Sequence, residues 1–301
     1  MEQIGEKINR LRRQRRAVIL AHNYQIEAVQ MVADFLGDSL DLSRKAASVN
    51  QDVIVFAGVK FMAETAKVLA PDKTVLLPRL DAGCPMADMI TVEDLRQLKQ
   101  DHPKAAVVTY VNSSVEIKAE SDVCCTSANA VRVVENVKAR DIIFIPDRNL
   151  GRFVQSRVPE KRIILFEGYC YVHNRIKREE IDVMKERYPD AEIIVHPEVR
   201  PEVADMADAV LSTSQMLHHV ARSRKKRFVV ATEQGLLERM KREYPGKEFF
   251  PAFRAKICSN MKRTGLQDIE RSLELNQYEI VIDADISRQA FRSLEKMLEY
   301  V

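Results

Sequence analysis

"HPKAAVVTYVN" (residues 102–112) and "YPDAEIIVHPE" (residues 188–198) share one design. A ring residue and a proline lead into a short β-branched run, and the run ends on two polar groups with one residue between them. Such runs read as half-buried or buried strands opened by a turn. An earlier run, "AVILAHNY" (17–24), ends the same way. The three strands end at His22, Tyr110 and His196, which are 88 and 86 residues apart. Twelve residues beyond each stands an aspartate after a small residue: Asp34, Asp122 and Asp208. Five residues further each has a hydroxyl: Ser39, Ser127 and Thr213. The chain is therefore read as one α/β unit of about 87 residues written three times.

The remaining strand candidates fall into the same register. They are "VIVFAG" (53–58), "TVLLP" (74–78), "IIFIP" (142–146), "RIILF" (162–166), "RFVVAT" (227–232) and "EFFPA" (248–252), with helical stretches between them. Strands alternating with helices predict parallel sheets. The expected fold is α/β, with three repeated parallel-sheet sandwich domains around a pseudo-threefold axis. The domains span 1–86, 87–172 and 173–260. A tail, 261–301, reads as helix, short strand and helix, an extension that packs with the first repeat.

Composition narrows the function. The 301 residues carry a formal charge of +3 with 30% charged and 46% hydrophobic residues, which makes no case for a polyanionic partner. The basic runs "LRRQRR" (11–16) and "RSRKKR" (222–227) read as solvated helix faces rather than a nucleic-acid surface. No stretch approaches a membrane span of ~20 apolar residues. The N-terminus lacks an apolar signal core, so the protein is expected in the cytoplasm. Five cysteines do not make a disulfide scaffold, which points to metal or catalysis.

A lone cysteine is ordinarily a small buried hydrophobe. Cys124 and Cys125, off the register, are read that way. Cys84, Cys170 and Cys258 differ, because each follows the last strand of its repeat at the repeat spacing. Loops at the carboxyl ends of parallel strands are where ligands bind. Packing around a threefold axis would bring the three thiols together. Three thiolates suit an iron–sulfur cluster with one iron left open. A structural zinc would need a fourth ligand, for which Cys124, Cys125 and His173 are the candidates. The pairs His22/Tyr24, Tyr110/Asn112 and His196/Glu198 each project from one side of a strand end. Ser39, Ser127 and Thr213 precede helices. They are read either as N-caps or as donors, with the helix N-termini, to a small anionic substrate.

The stretches "LAHNYQ" (20–25), "ADFLGDSL" (33–40), "FMAETAKVL" (61–69), "CPMADM" (84–89), "YVNSS" (110–114), "TSANAV" (126–131), "PDRNLG" (146–151), "GYCYVH" (168–173), "VHPE" (195–198) and "CSNMK" (258–262) span nearly the whole chain. Together they resemble the quinolinate synthase family of NAD biosynthesis. The resemblance implies a transferase that condenses iminoaspartate (iminosuccinate) with dihydroxyacetone phosphate, losing phosphate and water as quinolinate forms. It implies one 4Fe–4S cluster on Cys84, Cys170 and Cys258. It implies substrate contacts at His22, Ser39, Tyr110, Val111 (by backbone), Asn112, Ser127, His196, Pro197, Glu198 and Thr213, with Tyr24 and Ser212 as close neighbours. An aspartate oxidase or dehydrogenase would supply the imine. The chain departs from many relatives in carrying Tyr171 where they have proline, and Val199 where they have cysteine. It also lacks a C-terminal CxxCxxC. Glu198 is expected as general base with His196 as its partner, and Tyr24 and Tyr110 as proton relays.

Overall fold

Residues 2–300 are described in the computed structural model of the chain. The first unit holds strands β1 (Ala17–His22), β2 (Phe35–Gly37), β3 (Val53–Ala57) and β4 (Thr74–Leu76). The second holds β5 (Ala106–Tyr110), β6 (Val123–Cys125), β7 (Asp141–Ile145) and β8 (Arg162–Leu165). The third holds β9 (Glu192–Val195), β10 (Ala209–Val210), β11 (Arg227–Ala231) and β12 (Glu248–Pro251). Each forms a four-stranded sheet with its strands in the order second, first, third, fourth. Every pairing within these sheets is parallel. The threefold repeat in the sequence is thus a threefold repeat of topology.

The central strands are covered on both faces. All six residues of β1 and all five of β3 are buried. Burial on both faces is why these strands read as unbroken apolar runs rather than as alternations. All nine expected strands form. Three more, β2, β6 and β10, are only two or three residues long and leave no periodicity to read.

These short strands explain the aspartates. Asp34 accepts the backbone N–H of Ile19 at 2.8 Å, Asp122 that of Val107 at 2.7 Å and Asp208 that of Ile193 at 2.7 Å. Each aspartate's own N–H donates to the carbonyl of the same partner residue. The reciprocal pair fastens the start of each short edge strand to the first strand of its unit.

The tail holds helices Leu266–Leu275 and Ala284–Glu299. The strand expected between them is a single antiparallel bridge, Leu76 to Glu279. Asn276 and Tyr278 take left-handed backbone angles, φ 51° and 63°, and turn the chain away from extended pairing. The first tail helix lies along the helix Glu2–Gln14, where Lys7 pairs with Glu270 at 2.6 Å. The second crosses to the second unit. There Ser293 donates to the Lys118 carbonyl at 2.8 Å and Asn129 donates to the Met297 carbonyl at 3.2 Å. Its Ala290, Leu294 and Met297 belong to one apolar core shared by the first two units, while the third unit has cores of its own.

The first basic run is spent on structure: Arg12 pairs with Asp34 and Arg16 with Asp52. Among the described residues, no helix is long and apolar enough to cross a membrane.

Replacing any one of the three clamp aspartates with alanine strands a strand-opening N–H. Asp208→Ala is expected to lower stability by about 1 kcal/mol, read as a shifted urea midpoint with unchanged slope. No loss in any of the three variants would show that the clamp contributes nothing.

Candidate functional site

The strand ends of all three units open onto one cavity with an empty volume of about 700 Å³, its mouth included. Each strand-end pair contributes both its members: His22 and Tyr24, Tyr110 and Asn112, His196 and Glu198. The hydroxyl set Ser39, Ser127 and Thr213 lines the same space, and so do Cys84, Cys170 and Cys258. Val111, Pro197 and Ser212 stand outside this lining. Val111 spends its N–H on the Cys125 carbonyl at 2.9 Å. Pro197 is buried between the two lining residues His196 and Glu198. Ser212 caps the helix Thr213–Arg222.

Capping is done by neighbours of the hydroxyl set. Asp38 caps the helix Ser39–Ser48 and Ser212 the helix Thr213–Arg222, so Ser39 and Thr213 are first helical residues. Thr213 accepts from Asn23 Nδ2 at 2.8 Å, which leaves its own proton for a ligand. The buried Asn112 Oδ1 has no hydrogen-bond partner. A buried polar atom without a partner, beside a cavity, is a vacancy in the hydrogen-bond pattern that a polar ligand can fill.

A hydrogen-bonded chain runs along one wall and joins the three units. Tyr110 of the second unit donates to Glu198 Oε1 at 2.6 Å. His173 Nδ1 meets Glu198 Oε2 at 2.5 Å. His173 Nε2 lies 2.9 Å from Thr232 Oγ1, which lies 2.7 Å from the Tyr24 hydroxyl of the first unit. Lys262 holds the Tyr24 carbonyl at 2.6 Å. Where that loop crosses the third unit, Gly235 leaves no room for a side chain. A Cβ there would stand 2.8 Å from the Gln25 carbonyl oxygen.

The histidines of the strand ends are neutral. Burial pushes His22 and His196 down to about 3, against the pull of the Glu198 charge. In each, Nδ1 accepts a backbone N–H two residues on, from Tyr24 at 3.1 Å and from Glu198 at 3.3 Å. The ring proton therefore sits on Nε2 in both, and both rings act as donors. Burial pushes the Glu198 carboxyl up, but the hydrogen bonds from His173 and Tyr110 outweigh it and hold it ionised. His173, not His196, is the histidine bonded to the Glu198 carboxylate, from which His196 Nδ1 stays 3.7 Å away.

The three thiols are half-buried and unpaired by disulfides. Burial raises Cys84 to about 12 and also raises Cys170 and Cys258, so a metal must displace their protons on binding. A single tetrahedral zinc with ~2.3 Å bonds would draw its sulfurs to ~3.8 Å of one another. Among the described residues, the one set of three donors mutually within 4.8 Å is Cys170, His173 and Glu198. Cys84, Cys170 and Cys258 are not such a set, so at least one pair of their sulfurs stands more than 4.8 Å apart. The compact set is already satisfied, since both His173 nitrogens and both Glu198 oxygens have partners. Cys124 and Cys125 lie fully buried in the apolar core, and Cys124 faces Ser293 at 3.3 Å. Of the fourth ligands weighed from the sequence for a closed zinc site, Cys124 and Cys125 lie in the apolar core and His173 has both ring nitrogens engaged.

Two acids were not expected. Asp147 accepts the Cys170 N–H at 2.9 Å and Glu233 accepts the Cys258 N–H at 3.1 Å. Each also caps the helix that follows it. They stand 86 residues apart, so the repeat spacing marks them. The first unit has Val59 at that place and no such clamp on Cys84. His173 had a signal too, three residues after Cys170 at one turn's spacing. Thr232 had none, because its counterparts are Gly58 and Pro146.

Fold and site together define an α/β protein whose three repeats present thiols, hydroxyls and strand-end polar groups to one cavity. Comparison with known proteins narrows the class. The model of the family described as "Quinolinate synthetase A protein" matches residues 6–299, and the chain belongs to that family. It is 52% identical over 298 residues to a quinolinate synthase of Dehalococcoides mccartyi, covering 99% of this chain and 98% of the relative. It is 51% identical over 296 residues to one of Thermodesulfovibrio yellowstonii, covering 98% of each. It is 49% identical over 295 residues to "Quinolinate synthase 2" of Methanosarcina acetivorans, covering 98% and 95%.

The depressed histidines carry a pH dependence. Below the ordinary value of 6.5 the unfolded chain binds protons at His22 and His196 that the folded chain refuses until about 3. Stability is full above pH 6.5 and falls as pH drops through that window. At pH 5 each histidine should account for a loss of up to about 2 kcal/mol in metal-free protein. Urea melts at pH 7.5 and 5 check this, with His22→Gln and His196→Gln each flattening the difference. Equal pH sensitivity in the variants would rule the two rings out as its source.

Proposed function

We propose that the chain is a quinolinate synthase that condenses iminoaspartate (iminosuccinate) with dihydroxyacetone phosphate and releases phosphate and water. The observation that carries this reading is the convergence of three equivalent thiols and three sets of strand-end polar groups on one cavity. In this reading Cys84, Cys170 and Cys258 hold a 4Fe–4S cluster. Such a cluster would leave one iron without a protein ligand, a Lewis acid for a substrate oxygen or nitrogen.

The chain's own residues bind, orient and move protons. The substrate carboxylates are held by Ser39, Thr213 and Ser127 with the adjoining helix N-termini. The neutral Nε2–H groups of His22 and His196 add donors without adding charge. The free Asn112 oxygen is an acceptor for an imine or amine N–H. The dihydroxyacetone phosphate ester enters the same anion-binding wall before it leaves as phosphate.

Glu198 is the proton acceptor for imine–enamine tautomerisation. Held low, it is a weak base, but two substrate carboxylates in the same cavity raise a carboxyl by like-charge repulsion and bring it nearer working range. Its proton is shared with His173, and Tyr24 and Tyr110 close the two ends of the relay. The iminoaspartate is unstable in water, so supply by an aspartate oxidase or dehydrogenase fits the chemistry.

Anaerobically prepared protein is expected to be brown, with about four irons and four sulfides per chain. Cys84→Ala, Cys170→Ala and Cys258→Ala should each lose the cluster, while Cys125→Ala keeps it. Full clusters in all three site variants would sink the ligand assignment. Glu198→Gln should keep iron and substrate binding while single-turnover quinolinate formation drops by roughly 10² or more. Turnover within a few fold of the parent would reduce Glu198 to a binding residue.

A further inference from the structure

Thr232 is the first residue after β11, and it is buried. It stands outside the cavity lining, yet it touches two residues that belong to it. Its Oγ1 lies 2.7 Å from the Tyr24 hydroxyl and 2.9 Å from His173 Nε2. Tyr24 and His173 approach each other directly at 3.4 Å, long for a hydrogen bond from a phenol. The residues at the same place in the other two units, Gly58 and Pro146, carry no hydroxyl. The link is made in the unit that also carries Glu198.

The distances fix where each proton points. Glu198 is ionised, so both its oxygens accept. Oε1 accepts from Tyr110 at 2.6 Å and Oε2 from His173 Nδ1 at 2.5 Å. In a neutral ring with its proton on Nδ1, Nε2 is an acceptor. Thr232 then gives its one proton to Nε2, and its oxygen is left to accept from Tyr24. Three hydrogen bonds run the same way: Tyr24 to Thr232, Thr232 to His173, His173 to Glu198. Burial and the Glu198 charge push the Tyr24 phenol up, so it keeps its proton at rest.

We propose that Thr232 is a positioning residue for proton transfer, whose hydroxyl joins Tyr24 to His173 so that Glu198 takes up the substrate proton through the Tyr24 oxygen. This rests on the reading of Glu198 as proton acceptor given above. In the step a substrate C–H bond breaks and its electron pair forms the C=C bond of the enamine, while the C=N pair moves to nitrogen. The substrate proton passes to the Tyr24 oxygen, the Tyr24 proton to Thr232, the Thr232 proton to His173 Nε2 and the Nδ1 proton to Glu198, which becomes neutral. The same shift run backwards returns one proton to the substrate nitrogen, so none is gained or lost.

The test compares cluster-loaded parent, Thr232→Val and Thr232→Ser, with iron and sulfide measured first. Thr232→Val keeps the branched shape and removes the hydroxyl, and Thr232→Ser keeps the hydroxyl. Thr232→Val should cut single-turnover quinolinate formation at saturating substrate by about tenfold or more, with KM changed less than about twofold. The direct contact between Tyr24 and His173 limits the loss. Thr232→Ser should restore most of the rate. Adding Thr232→Val to Tyr24→Phe should cost little beyond Tyr24→Phe alone, because both cut one path. If Thr232→Val does not load, Thr232→Ala takes its place with the same expectation. A rate within about twofold of the parent, or Thr232→Ser no faster than Thr232→Val, overturns the proposal and leaves the proposed function standing. A second readout needs neither cluster nor activity. In metal-free protein with nitrogen-15 histidine, His173, assigned by its loss in His173→Gln, should show a protonated Nδ1 and a bare Nε2 near neutral pH. A protonated Nε2 would turn the Thr232 proton away from the ring and overturn the proposal. A cluster-loaded parent that forms no quinolinate overturns the proposed function, and this inference with it.

Discussion

A buried carboxylate without partners costs several kcal/mol, and Glu198 is 3% exposed at the centre of the molecule. Its charge is tolerated because Tyr110 and His173 each give it a short hydrogen bond. Those two donors come from different parts of the chain, one from the end of β5 and one from the turn after Cys170. Satisfying one charge therefore fixes where the second unit and the second cysteine loop stand relative to the third unit. Thr232 and Tyr24 carry the same constraint into the first unit. The cavity is the place where three separately built sheets must agree.

That constraint was only partly legible in the sequence. The β-branched runs and the 86- and 88-residue spacings exposed nine strands and the three equivalent cysteines, because repetition turns weak local signals into a strong one. The three edge strands escaped, since a two- or three-residue strand such as "AV" has no pattern of its own. The aspartate marker was visible, but its work is to pin those strands rather than to meet a ligand. Glu198 was singled out as the one strand-end carboxylate, whereas the identity of its partner depended on a contact across 25 residues. His196 lies two residues from Glu198 in sequence, and its Nδ1 is taken by a backbone N–H. Sequence nearness favoured His196, whereas the bond to the carboxylate comes from His173, because a strand end cannot show which loop folds over it.

The cysteine loops show how the three copies have diverged. Carboxylates under Cys170 and Cys258 hold those backbones in place, and Glu233 is itself held by Lys262 at 3.0 Å. Cys84 has no acid beneath it. Its loop is tied at the surface instead, where Asp81 bonds Arg79 and Arg263. Exposed ion pairs contribute little and are screened by salt. The first loop is therefore the least firmly held of the three, while the second and third are clamped from below and strapped across the top by Tyr171.

The cavity wall that carries Ser39 and Thr213 depends on a related division of labour between neighbours. Ser212 Oγ donates to Asp38 Oδ2 at 3.0 Å, so the caps of two helices from different units bond to each other. Asp38 also accepts the N–H groups of Leu40 and Asp41. The two helix starts are thereby drawn side by side, with Ser39 and Thr213 as their first residues facing the cavity. Had Ser39 and Thr213 been the caps, their oxygens would have been consumed by their own helices. Moving the cap back by one residue frees both hydroxyls and places two positive helix ends on one wall. In the proposed reaction a pair of carboxylates on a short carbon skeleton, as in iminoaspartate, would meet that wall.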